Sequence, residues 1–266
     1  MAGLFVTIAL LAVAGSALTQ ELPKDPIVLP DADSSDDIVV RALRIPREKL
    51  PVQVEWARST QFDSTIIQEN SAMFARCAIK GSDRATLRNA VEGAPNYAST
   101  RYAIGWLMAR QRGCYRPSPP APVSDDPTAN GTITDRGVLI EQVLADFAPD
   151  ATLDTAQTYD PVISRRMMDT EQHRNRYRLA NDYDAFRVSA CLVQRQPRIA
   201  TRFVHAPSGS DLSKGLAQAL LIGGRDCLGQ VKRITIDPTF LRFYVTEAFY
   251  RWVVAARGVD TLIPSG

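Results

Sequence analysis

The chemistry this chain states most plainly lies in four cysteines, Cys77, Cys114, Cys191 and Cys227. Zinc-thiolate sites use C-x2-4-C clusters, and none is present, so the four read as disulfides. Cys77, Pro95 and Cys114 are spaced C-x17-P-x18-C, while Cys191, Pro207 and Cys227 are spaced C-x15-P-x19-C. Three pairings are open to four cysteines. The repeated frame selects Cys77 with Cys114 and Cys191 with Cys227, one bridge inside each of two similar units.

The strongest charge bias is the stretch 164–178, which sets Arg165, Arg166, His173, Arg174, Arg176 and Arg178 against Asp169 and Glu171. Such a run suits an anionic partner: phosphate groups of an envelope lipid, an acidic polysaccharide or an acidic protein face. Its plainer reading is a solvated helix face, with Asp169 near His173 and Glu171 near Arg174. The formal net charge of +2 gives no support to a nucleic-acid partner.

Catalytic patterns are scarce. Two histidines leave little room for metal sites or His-based triads, and G-x-S-x-G, the P-loop and G-x-G-x-x-G are absent. Asp182-Tyr183-Asp184 begins a calcium-loop spacing but lacks its glycine and closing glutamate. No metal ligand and no cofactor is expected. Glu141 and Glu247 are the carboxylates a hydrolase would use in a cleft between the units. Glu247 stands four residues before Arg251, which predicts a structural ion pair instead.

These residues must be held by helices. Ser71, Phe74, Cys77 and Ala78 fall on one helical face, as do Ala185, Val188, Cys191 and Leu192. Ser82-Asp83 starts a helix ending at Gly93, and the next carries Tyr102 and Trp106 at helical spacing and stops at Gly113. Asp135 opens the last helix of the first unit, whose core face is Leu139, Ile140, Val143, Leu144 and Phe147. In the second unit Pro197, Ser210 and Asp237-Pro238 mark helix starts. Residues 240–256 are apolar over most of the circumference, the pattern of a helix central to a core.

The expected organisation is a signal peptide over 1–17, then a flexible acidic leader and N-terminal arm over 18–57. Helical unit 1 spans 58–150, the basic bridge 151–182 and helical unit 2 183–266. The uncharged apolar run 4–14, ending in Gly15, Ser16 and Ala17, carries the first expectation. Within the arm, residues 38–56 read as one or two short strands or as an extended segment laid over the helices. A proline-rich linker fills 116–131, with Asn130-Gly131-Thr132 as a glycosylation acceptor in a eukaryotic host.

With its apolar leader, the D-D-I-V-V-R segment at 36–41 and the paired cysteines, the chain resembles small exported proteins of alphaproteobacteria. The resemblance carries over no functional residue. The reading is a mainly α, periplasmic or secreted protein of two disulfide-closed units, without a membrane span after signal cleavage. It is expected to act as a binding module for an envelope protein or an anionic envelope component. A cell-envelope hydrolase is the alternative.

Overall fold

The computed structural model describes residues 53–56, 58–114, 132–229 and 233–265. The expected signal peptide, the leader and arm to residue 52, and the proline-rich stretch 116–131 lie outside the described residues. What is described is mainly α, with two disulfides, Cys77–Cys114 and Cys191–Cys227.

The first unit runs through α1 (Arg58–Gly81), α2 (Arg84–Glu92), α3 (Ala98–Arg110), a turn of 3-10 helix holding Cys114, and α4 (Thr132–Phe147). The bridge folds as α5 (Thr155–Thr158) and α6 (Pro161–Asn175). The second unit runs through α7 (Ala180–Arg195), α8 (Pro197–His205), α9 (Asp211–Gly223), a 3-10 turn holding Cys227, and α10 (Pro238–Arg257). Local chemistry sets these boundaries. Asp83 accepts from the Thr86 amide at 2.8 Å, Ser210 from the Ser213 amide at 3.1 Å, and Asp237 from the Thr239 and Phe240 amides. Proline occupies the first turn of α6, α8 and α10, where its missing N–H costs nothing.

The two units share one plan. At a single constant offset α2 lies over α8, both of 9 residues, α3 over α9, both of 13, and Cys114 over Cys227. This register places Pro95 over Ser208 and not over Pro207, one residue away from the proline alignment of the sequence. The feature that coincides is a left-handed residue, Asn96 at φ 60° and Gly209 at φ 73°. Asparagine and glycine are the residues that tolerate it, so both units turn into their third helix through the same backbone conformation.

The short strand β1 (Gln53–Trp56) pairs in parallel with β2 (Arg233–Ile236), Val54 opposite Ile234 and Trp56 opposite Ile236. The arm therefore pairs with the segment before α10. Helix α1 packs on α4, α7 packs on α10, and α4 and α10 pack on each other. α10 also meets α6, α8 and α1, and its buried residues run around its whole circumference from Thr239 to Ala255. At the α4–α10 contact, a Cβ on Gly137 would lie 2.5 Å from the ring of Phe243, so only glycine lets the helices approach this closely.

Asp135 stands in the first turn of α4, which starts three residues earlier at Thr132, and it lies inward and buried, accepting a hydrogen bond from Ser71 Oγ at 3.2 Å. Burial pushes its carboxyl up from 3.8 to about 7, against the smaller opposing effect of Ser71. The unfolded chain gives up this proton near 3.8 and the folded one near 7, so stability falls as pH rises from about 4 to about 7. Asp135→Asn should raise unfolding free energy at pH 8 by about 2–4 kcal/mol and change it little at pH 4. Urea unfolding at the two pH values checks this.

Candidate functional site

The last helix of each unit carries the same pair, arginine and glutamate separated by four residues: Arg136 and Glu141 on α4, Arg242 and Glu247 on α10. Each arginine caps the 9-residue helix of its own unit. Arg136 Nη2 donates to the carbonyls of Val91 and Gly93, and Arg242 Nη2 to those of Val204 and Ala206, which are equivalent positions in α2 and α8. Each glutamate crosses to the other unit. Glu247 pairs with Arg136 at 2.7 Å, and Glu141 pairs with Arg242. A guanidinium at a helix C-terminus satisfies carbonyls that lack intrahelical partners and opposes the negative end of the dipole.

Around Glu247 this device becomes a network. Arg178, in the turn between α6 and α7, places Nη2 at 2.7 Å from Glu247 Oε1, stacks on the ring of Phe186 and reaches Asp182 at 3.3 Å. Glu171 sits among three guanidinium groups, with Arg174 Nε at 3.0 Å, Arg251 Nε at 3.5 Å and Arg178 Nη2 at 3.7 Å. Its oxygens make charge contacts there without aligned hydrogen bonds. Arg174 and Arg251 also donate to the carbonyl end of α2, and Arg251 pairs with the Glu92 carboxylate, which in addition accepts from Tyr250 Oη. The pairing of Glu247 with Arg251 expected at i,i+4 is not made, because each side chain turns to a partner from another element.

The electrostatics follow from the geometry. Burial alone would push the Glu247 carboxyl up, but Arg136 and Arg178 outweigh it and hold the group well below the carboxylate range. Burial pushes Arg174 down to about 9, which leaves it charged at neutral pH. For Glu141 burial prevails over Arg242 and the carboxyl is raised. A carboxylate locked between two guanidinium groups neither gives up a proton at neutral pH nor attacks as a nucleophile.

Of the basic stretch, Arg174 and Arg178 are buried with Met167 and Glu171 on the inner side of α6 and the turn after it. Arg165, Arg166, His173 and Arg176 are exposed. Arg166 donates to the Ala255 carbonyl at 2.6 Å, at the C-terminus of α10, so it too is committed to the fold. Beside the rest stands a group of exposed rings. Tyr177 meets His173 with centroids 6.0 Å apart and Tyr97 with centroids 4.8 Å apart, both edge to face.

Between the turn after α2, α3, α4 and α10 lies a cavity of about 30 Å³, with Thr100, Arg136, Arg178, Asp182 and Glu247 among its lining residues. Arg136, Glu92 and Thr100 are not singled out by the sequence, whereas the expected closeness of Glu171 to Arg174 is met, inside the protein and not on a solvated face. The signal for Arg136 was present as the repeated R-x4-E in the two last helices. His205, at the end of α8, bonds the Ala151 carbonyl and packs edge-on to Phe249, a structural role. Among the described residues no cluster of His, Cys, Asp and Glu could hold a metal ion, and no helix is long and apolar enough to cross a membrane. In comparisons with known proteins, no family model matches this chain, and no curated protein or solved structure matches it.

Proposed function

We propose that this protein is an exported binding module, periplasmic or secreted, that meets an envelope protein or an anionic envelope component through the exposed part of the basic stretch. The observation that carries this reading is the surface group of His173, Tyr177 and Tyr97, three rings packed edge to face next to Arg176. Tyrosine and arginine supply amphipathic area and bidentate donors, the features that anchor protein contacts. Two disulfides agree with an oxidising compartment. The hydrolase alternative loses support at Glu247, whose carboxylate is locked between Arg136 and Arg178, and at Glu141, whose carboxyl is paired with Arg242.

The shared plan of the units and the R-x4-E pair in both also support descent from one duplicated unit. That origin accounts for a pair of units tied by the same device.

The test is crosslinked capture from an envelope fraction with the tagged mature protein. The comparison is wild type against Arg165→Ala/His173→Ala/Arg176→Ala, which leaves the buried Arg174 and Arg178 in place. Wild type is expected to retain a partner at least about tenfold better than the variant, the loss of one or two well-made contacts. Equal recovery by both forms overturns the assignment of the face.

A further inference from the structure

The two disulfides sit in different surroundings. Laid on Cys77 and Cys191, the repeat places Arg76 at Ala190 and Lys80 at Gln194, on the flank of α1 and of α7 beside each disulfide. In the second unit another part of the chain covers that flank. Thr158 of α5 donates through Oγ1 to the Gln194 carbonyl at 3.0 Å, its own carbonyl accepts from Gln194 Nε2 at 3.2 Å, and Trp252 of α10 donates to the Ala190 carbonyl. Ala190 and Gln194 are accordingly half-buried.

In the first unit the twin positions are exposed. Arg76 and Lys80 line an open groove of about 570 Å³ together with Met73, Gln111 and the Cys77–Cys114 disulfide. Among the described residues neither cation is held in an ion pair. Gln111 lies over Gly81, where a Cβ would stand 2.7 Å from its Nε2, so glycine admits its amide to the groove wall. Two cations one helical turn apart select carboxylates, and a side-chain amide can serve main-chain N–H and C=O groups. The groove is open and not enclosed, a form that admits a length of chain, as the twin flank admits α5.

We propose that this groove binds an acidic peptide segment of a partner protein, seated against α1 as α5 is seated against α7. Alternate side chains of an extended segment share one face and lie about 7 Å apart, close to the ~6 Å between positions four apart on a helix. A segment with acidic residues at alternate positions therefore meets Arg76 and Lys80 together. The groove shares no residue with the face of His173, Tyr177 and Tyr97, so the two proposals fail separately.

The probe is a short blocked peptide of alternating Asp and Ala, titrated into the mature protein and followed by amide NMR shifts. The same peptide with Asn for Asp, and inorganic phosphate at equal ionic strength, are the controls. Saturable shifts at residues around Lys80 and Gln111 are expected with the Asp peptide and absent with both controls. Arg76→Glu/Lys80→Glu should weaken the Asp peptide at least about tenfold with an unchanged melting temperature, since both side chains are exposed. Arg165→Ala/His173→Ala/Arg176→Ala should bind it as wild type does. Asp36→Asn/Asp37→Asn and Asp125→Asn/Asp126→Asn test this chain's own carboxylates as occupants and should leave the affinity unchanged. The proposal is overturned by no saturable response, by an equal response to the Asn peptide or to phosphate, or by unchanged affinity in Arg76→Glu/Lys80→Glu. A loss of binding in the Arg165, His173 and Arg176 variant, or an affinity raised at least about tenfold by either Asp-to-Asn pair, overturns it equally.

Discussion

Glu247→Ala is expected to lower the free energy of unfolding by about 3–5 kcal/mol, the largest effect of any single substitution considered for this protein. The side chain itself contributes little apolar area. What the truncation does is strand Arg136 and Arg178, each buried and each aimed at the missing oxygens. Arg178 keeps weaker contacts to Asp182 at 3.3 Å and Glu171 at 3.7 Å, while Arg136 keeps, among the described residues, the carbonyls of Val91 and Gly93 at the end of α2. The exposed pair Lys214–Asp211 is the control, and its loss should cost under about 0.5 kcal/mol. Because Glu247 is held below its ordinary value of 4.5, its contribution is complete above that pH and is lost as pH falls further. Urea unfolding at pH 7 and in acid tests both parts, and a loss below about 1 kcal/mol at pH 7 would contradict the assignment.

The second large effect is expected on removal of the Cys191–Cys227 bridge by Cys191→Ala/Cys227→Ala. The cysteines lie 36 residues apart, and closing a loop of this size removes about 4 kcal/mol of unfolded-state freedom in the chain-entropy model. The bridge ties α7, which packs on α10, to the turn that leads through β2 into α10. Without it the apolar face of α10 loses a covalent guide but keeps its partners. The fold should therefore survive at 25 °C with a lower urea midpoint and an unchanged slope. A changed slope would mean that the unit opens on its own, and an unchanged midpoint would mean that the bridge adds nothing.

Much of the fold was legible because it depends on local chemistry. The Asp83, Ser210 and Asp237 caps, the prolines at first turns and the paired cysteines act through near neighbours, and each predicted its element. The face of Leu139, Ile140, Val143 and Leu144 is buried as its period requires. α6 misled the reading because its inner stripe is Met167, Glu171 and Arg174, continued by Arg178. Charge at helical spacing has the same pattern whether it faces water or a buried counter-charge, and only the partner, 69 residues away in Glu247, decides which.

The candidate site was hidden for the same reason. Its pairs mostly join α4, α6, α10 and the end of α2, and spacing within one segment announces only Glu171 with Arg174 and Arg178 with Asp182. Asp135 shows the converse case, where a residue type that favours helix starts lies inward and carries a raised pKa. The recurrence of R-x4-E is the readable trace of the pairs between units, and it gains meaning only when the two last helices are aligned on their arginines.

The central claim is that the units are tied by arginine and glutamate exchanged reciprocally between α4 and α10. A double-mutant cycle on Glu141→Gln and Arg242→Met tests it most directly, since among the described residues Glu141 has no other ion-pair partner. Unfolding free energies of the wild type, the two single variants and the double variant should give a coupling of at least about 1.5 kcal/mol at pH 7. Additivity within about 0.5 kcal/mol would mean that the pair does not hold the units together, and would contradict the account.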